Sequence, residues 1–221
     1  MSRSLPTESA LLRGAEGHIE VLIDAPETVR GIALVCHPHP LFGGANTNKV
    51  AHTLARCYRD LGFAAIRPNF RGVGQSEGKH DEGIGETDDM LSVISWAQSR
   101  WGSLPLALGG FSFGGYVQVR VANHLADGIA PPRQLILVGT AAGDTTGSGR
   151  RYQTPTVPKN IPTLLIHGEN DETVALANVL EWARPQELPV IVVPGADHFF
   201  HGKLHIIREL IARNVAHADH G

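Results

Sequence analysis

Six short apolar runs without polar alternation set the tightest limit on what this chain can fold into. They are residues 32–36 (IALVC), 64–67 (AAIR), 106–108 (LAL), 135–138 (LILV), 163–166 (TLLI) and 190–193 (VIVV). A strand with one wet face alternates apolar and polar side chains; these runs do not, so they read as strands covered on both faces. Between them lie residues 46–61, 85–101, 113–126, 174–183 and 203–215, whose apolar positions follow helical spacing. In the second of these, Met90, Leu91, Ile94 and Ala97 fall on one helical face. Strand and helix alternate, which predicts an α/β fold with a mostly parallel, doubly wound sheet. Residues 10–13 and 18–23, separated by Gly14 and Gly17, predict an antiparallel hairpin ahead of it. In sheets of this kind the chemistry gathers beyond the carboxyl ends of the strands.

A single sheet of this type accommodates all 221 residues, so one domain over 1–221 is expected. Residues 140–161 are rich in Gly, Thr, Pro and Arg and read as a loop, and the tail AHADHG (216–221) as a frayed terminus. A net charge of −3 with interspersed signs offers no basic stripe, which argues against nucleic acid as a partner. Cys36 and Cys57 read as buried free thiols. The first residues lack a signal-peptide core, and no stretch approaches the roughly 20 apolar residues of a bilayer span. A cytoplasmic protein without membrane partners is the expectation.

Two segments match G-x-S-x-G: residues 74–78 (GQSEG) and 110–114 (GFSFG). A nucleophilic serine in such a pentapeptide must sit on a strained turn that joins a strand directly to a helix, with small neighbours. Ser112 meets that condition, between PLALGG and the helical GGYVQVRVANHLA. Its place at a helix N-terminus also favours developing negative charge. Ser76 lies several residues past its strand among polar residues and glycines, so its match is accidental. A structural reading of Ser112, as a small residue in a tight turn, is the alternative.

A serine hydroxyl needs a base, and the base needs a third group to fix its tautomer. For a nucleophile elbow the expected order is Ser, then an acid, then His. HGENDETV after the fifth run supplies Asp171, with Glu169 and Glu172 as competitors and a solvated turn or helix cap as the bland alternative. PGADHFFHG after the last run supplies His198 as general base. Twelve histidines make any single one cheap, and His201, His205, His37 and His39 have spacings that also suit metal ligands. Neither HExxH nor clustered carboxylates accompany them, so no metal and no cofactor are expected.

CHPHPLFGGANTNKV, RPNFRGVGQSEG, GGFSFGGY, HGENDETV and DHFFH, in that order, resemble the α/β-hydrolase superfamily over nearly the whole chain. The resemblance is to small, lidless bacterial serine hydrolases related to dienelactone hydrolases and compact carboxylesterases. Dienelactone hydrolases use cysteine where this chain has Ser112. The resemblance implies an α/β-hydrolase fold without a cap domain, since only residues 140–161 stand where larger relatives insert one. It also implies an oxyanion hole built from the backbone N–H of Phe113 and, with His37-Pro38 aligned on the His-Gly of related enzymes, of His39; Pro38 and Pro40 have no N–H to offer. Arg71 is expected to be a solvated or salt-bridged loop residue. Phe42, Phe111, Tyr152, Phe199 and Phe200 suit either the cleft or the core, and Arg150 and Arg151 either an anionic substrate or solvent.

The expected activity is acyl transfer from a small or short-chain carboxylic ester through an acyl-enzyme. A thioesterase, lactonase or small peptidase would use the same residues, and a non-catalytic binding module the same fold.

Overall fold

The computed structural model describes residues 5–128, 130–146 and 149–218. Apolar alternation makes the first two elements: β1 (Glu8–Gly14) pairs with β2 (Gly17–Asp24) in the expected antiparallel hairpin. The chain then runs β3 (Gly31–Cys36), α1 (Lys49–Asp60), β4 (Phe63–Pro68), α2 (Ile84–Trp101), β5 (Leu106–Phe111), α3 (Phe113–Leu125) and β6 (Gln134–Val138). After β7 (Gly143–Asp144) and β8 (Arg151–Tyr152) come β9 (Thr163–Gly168), α4 (Leu176–Ala183), β10 (Val190–Val193) and α5 (Leu204–Ala218). Each of the six apolar runs is a strand, and β3, β4, β5 and β6 are buried at every position, as their lack of alternation requires.

Eight strands form one sheet in the order β1-β2-β4-β3-β5-β6-β9-β10. From β4 to β10 every pairing is parallel, and β2 joins the sheet antiparallel to β4. The chain leaves β3 for β4 on one side and crosses back to β5 on the other. The carboxyl ends of β3 and β5 therefore flank a topological switch point. One apolar core packs α2 and α3 against one face, with Leu34, Leu108, Met90 and Val117 among its members. The other packs α1 and α5, with Val35, Leu54, Phe111, Phe200 and Ile207. Asn48 caps α1 by accepting from the amides of Val50 and Ala51, a contact of about 1 kcal/mol in typical helices.

Two expectations need adjustment. The loop at 140–161 carries the β7–β8 pair, Gly143 opposite Tyr152 and Asp144 opposite Arg151; two-residue ladders leave no period to read in a sequence. Residues 147 and 148 of that loop lie outside the described residues. Helix α5 continues to Ala218, into the tail expected to fray, of which 219–221 also lie outside.

Candidate active site

The turn after β5 is held in an unusual shape. Ser112 has φ 55° and ψ −118°, a region that costs a non-glycine residue on the order of 1–3 kcal/mol. Its neighbours hold it there: the Ser112 amide donates to Val138 O at 2.9 Å, and its carbonyl accepts from Gly115 at 2.9 Å and Ala141 at 3.1 Å. The flanking glycines are required by contact. A Cβ on Gly114 would lie 2.4 Å from the Cys36 carbonyl, and one on Gly110 would lie 2.4 Å from that of Gly114. Helix α3 can thus begin directly against the end of β3.

Beyond β9, the Asp171 carboxylate is shaped by its own loop. Its Oδ1 accepts from the amides of Thr173 (2.9 Å) and Val174 (2.8 Å), which leaves Oδ2 facing Nδ1 of His198 at 2.7 Å. The far nitrogen of His198, Nε2, lies 3.0 Å from Ser112 Oγ. A carboxylate only accepts, so Nδ1 of His198 carries the proton and Nε2 is free to accept the serine hydroxyl's. All three residues are buried. The structure brings the three side chains singled out from the sequence into one line of hydrogen bonds. Among their competitors, Glu169 is turned away and accepts from Gly195 N at 2.7 Å.

The loop after β3 is fixed by its first histidine. His37 Nδ1 donates to Pro38 O at 2.6 Å and Nε2 accepts from Phe70 N at 3.0 Å, while burial pushes its pKa down to about 3. His39 follows, with Nδ1 accepting from Leu41 N at 3.2 Å. Burial, reinforced by the charges of His80 and Arg150, lowers its pKa to about 4. The backbone amides of His39 and Phe113 are engaged by no acceptor among the described residues. Both residues line, with Ser112 and His198, a cavity of about 300 Å³.

Apolar and hydroxyl side chains make up much of that cavity's wall: Phe42, Phe113, Ala141, Thr145, Tyr152, Val174 and Phe199. Of the five aromatics left open between cleft and core, Phe42, Tyr152 and Phe199 line it. Phe111 and Phe200 do not. Phe111 ends β5 with its ring in the core beneath α1 and α5, and Phe200, at φ 53°, is buried in the same core. The arginines resolve as ion pairs: Arg150 with Glu82, Arg151 with Asp144 at 3.7 Å, and buried Arg71 with Asp89 at 2.8 and 2.9 Å. His201 pairs with Asp197 at 2.5 Å.

Two histidines at the site were missed in the sequence. His167 is wholly buried, donates from Nε2 to Val174 O at 2.9 Å and lies 3.4 Å from Asp171 Oδ2. Its position four residues before the acid, at the end of the same strand, was a usable signal. His80, from the polar stretch after Ser76, packs against both His39 and Phe113; no spacing announces it.

Ser76 occupies a different setting. Its hydroxyl donates to Asn69 O at 2.8 Å and accepts from Glu20 N at 2.9 Å, stitching the loop after β4 to β2.

Residues 18–131 match the model of the X-Pro dipeptidyl-peptidase (S15) family. An α/β serine hydrolase without lid from Xanthomonas campestris is 34% identical, with TM-score 0.83 over 96% of each chain. An α/β serine hydrolase homologue from Coxiella burnetii is 37% identical, with TM-score 0.81 over 95% of this chain and 98% of that one. An uncharacterized protein of Rickettsia prowazekii is 32% identical over 206 residues, 86% of this chain and 81% of that one.

Proposed function

This chain belongs to the α/β serine hydrolase family, in the clan that also holds the S15 peptidases, and from that premise we propose that it hydrolyses small or short-chain carboxylic esters through an acyl-enzyme on Ser112. One observation carries the reading: a single imidazole, His198, spans from Asp171 Oδ2 at 2.7 Å to Ser112 Oγ at 3.0 Å.

In this reading Ser112 Oγ attacks the ester carbonyl carbon and its proton passes to His198 Nε2. Asp171 holds the imidazole and stabilises the imidazolium, and the amides of His39 and Phe113 receive the oxyanion. The tetrahedral adduct then expels the alcohol, which takes the proton from His198. Water deprotonated by the same nitrogen attacks the acyl-enzyme, the second adduct expels Ser112, and the proton returns to its hydroxyl. These steps involve no metal or cofactor.

The size and lining of the cavity support a compact acyl group. The match to the S15 family favours a second reading, cleavage after proline. It covers Ser112 and one part of the cavity wall, including Phe42 and Phe113, and ends at residue 131, before Asp171, His198 and the cavity residues Thr145 and Tyr152, so it reaches only part of the groups that would set specificity. A panel of p-nitrophenyl esters from acetate to palmitate beside Ala-Pro-p-nitroanilide separates the two. Turnover greatest on acetate to hexanoate supports the ester reading; turnover greatest on the anilide, or on palmitate, contradicts it.

No helix among the described residues is long and apolar enough to cross a membrane. We assign the protein to the cytoplasm on the strength of its two buried, unbridged cysteines, and take a small ester as its partner.

A further inference from the structure

The stretch that follows the unused G-x-S-x-G pattern delivers an imidazole to the back of the site. The His80 side chain is 6% exposed and that of Glu86, near the start of α2, is 0% exposed. Glu86 draws the turn before α2 together. Its Oε1 lies 2.8 Å from His80 Nδ1 and accepts from Asp81 N at 2.9 Å, while its Oε2 accepts from Gly83 N at 2.8 Å. Facing a carboxylate, His80 Nδ1 must be the protonated nitrogen, which makes Nε2 an acceptor in the neutral ring.

The ring so fixed touches the two residues whose amides are assigned to the oxyanion. Its centroid is 4.7 Å from that of His39 and 5.3 Å from that of Phe113. On His39 the tautomer is the complementary one. Its Nδ1 accepts from Leu41 N, so its Nε2 carries the proton. Both Nε2 atoms are buried and neither has a hydrogen-bond partner among the described residues. An unpartnered donor and an unpartnered acceptor therefore sit on adjacent rings. Glu82 Oε1, paired to Arg150, is 3.7 Å from His80 Nε2 and completes the charged surroundings.

A packed ring alone needs no nitrogen, and a fully buried carboxylate is costly unless hydrogen bonds compensate it. The two oxyanion donors come from different elements, the loop after β3 and the first turn of α3. A displacement of about 1 Å between such groups can cost on the order of 100-fold in rate.

We infer that His80 and Glu86 are positioning residues of the oxyanion hole: Glu86 holds His80 in one tautomer, and His80, wedged against His39 and Phe113, keeps their two amides at a fixed spacing. The inference rests on the acyl-transfer reading and adds to it two residues that never touch substrate.

The test compares His80→Phe, His80→Asn and Glu86→Gln with the wild-type protein. Four quantities are measured: thermal midpoint, kcat and KM on p-nitrophenyl butyrate, the acid limb of kcat/KM, and inhibition by two ligands. One ligand is an aryl trifluoromethyl ketone, whose adduct with Ser112 is an oxyanion; the other is the matching carbinol, which forms no adduct. His80→Phe, which keeps the ring and loses both nitrogens, is expected to lower kcat about 10- to 100-fold. It should weaken the ketone by the same factor while leaving KM and carbinol binding within about twofold and the acid limb in place. His80→Asn, which can still donate to Glu86, and Glu86→Gln should fall between. Should His80→Phe not fold, these two decide alone.

Equal losses for ketone and carbinol, a shifted acid limb, or unchanged kcat in variants that fold would overturn the inference and leave Ser112 chemistry standing. A wild-type protein that neither turns over the ester nor binds the ketone covalently would remove the acyl-transfer reading, and this inference with it.

Discussion

Residues 74–78 and 110–114 spell the same G-x-S-x-G pattern and end as opposites. Ser76 sits in a turn between β4 and α2, and its hydroxyl is used up, giving its proton to Asn69 O and receiving the amide of Glu20. Ser112 stands at φ 55° between a strand and a helix, and among the described residues its hydroxyl has one partner, His198 Nε2. A serine becomes a candidate nucleophile when the backbone presents it to a base and leaves its oxygen otherwise uncommitted. The pentapeptide permits that geometry but does not create it.

The largest effect expected from breaking the contrast is at Ser112. Ser112→Ala should lower kcat/KM on p-nitrophenyl butyrate by on the order of 10⁴- to 10⁶-fold, to the level left by binding and oxyanion contacts alone. A loss under tenfold in steady-state assays would mean the two serines had been assigned the wrong way round, or that neither acts. Asp171→Asn comes next, at about 10⁴-fold in kcat, because an amide can hold His198 in the wrong tautomer. Circular dichroism should show an unchanged fold; a rate near wild type would rule out this acid.

Gly114→Ala probes the close approach to a backbone carbonyl that the second pattern makes, where Gly74 of the first meets side-chain atoms. Its methyl would lie 2.4 Å from the Cys36 carbonyl, and urea unfolding should report a loss of about 2–4 kcal/mol. A loss below about 0.5 kcal/mol would show that α3 has room to move. Acid sharpens the contrast further. His37 and His39 have pKa values lowered by burial to about 3 and about 4, and that of His167 is lowered for the same reason. The unfolded chain therefore binds protons below about pH 6.5 that the folded chain refuses. Their contribution to stability is complete above that pH and is lost as pH falls toward 4 and then 3, by up to about 1.4 kcal/mol per pH unit for each imidazole. Denaturation midpoints in urea that stay flat from pH 7 to 4 would contradict this. The smallest effect is at the other serine: Ser76→Ala should cost about 1 kcal/mol of stability and leave kcat within twofold.

Most of the fold was legible because buried parallel strands have a plain sequence signature, and β3, β5, β6 and β9 begin within one residue of the runs that announced them. The acid, base and nucleophile were legible for a related reason: each follows a strand, and strand ends converge at a switch point. What the sequence hid depends on facing. Phe111 and Phe113 flank Ser112, yet one ring is in the core beneath α1 and the other lines the cavity, because the turn between them reverses the direction of the side chains. His80 was hidden more deeply. It reaches the site only because Glu86 draws its turn inward, and nothing in GKHDEG records that pull.

The most direct test of the account is to treat the wild-type protein with a fluorophosphonate and locate the adduct by peptide mass mapping. One phosphonyl group on the peptide carrying Ser112, absent after prior denaturation, is the predicted result. Labelling of the Ser76 peptide, or no labelling of the native protein, would contradict it.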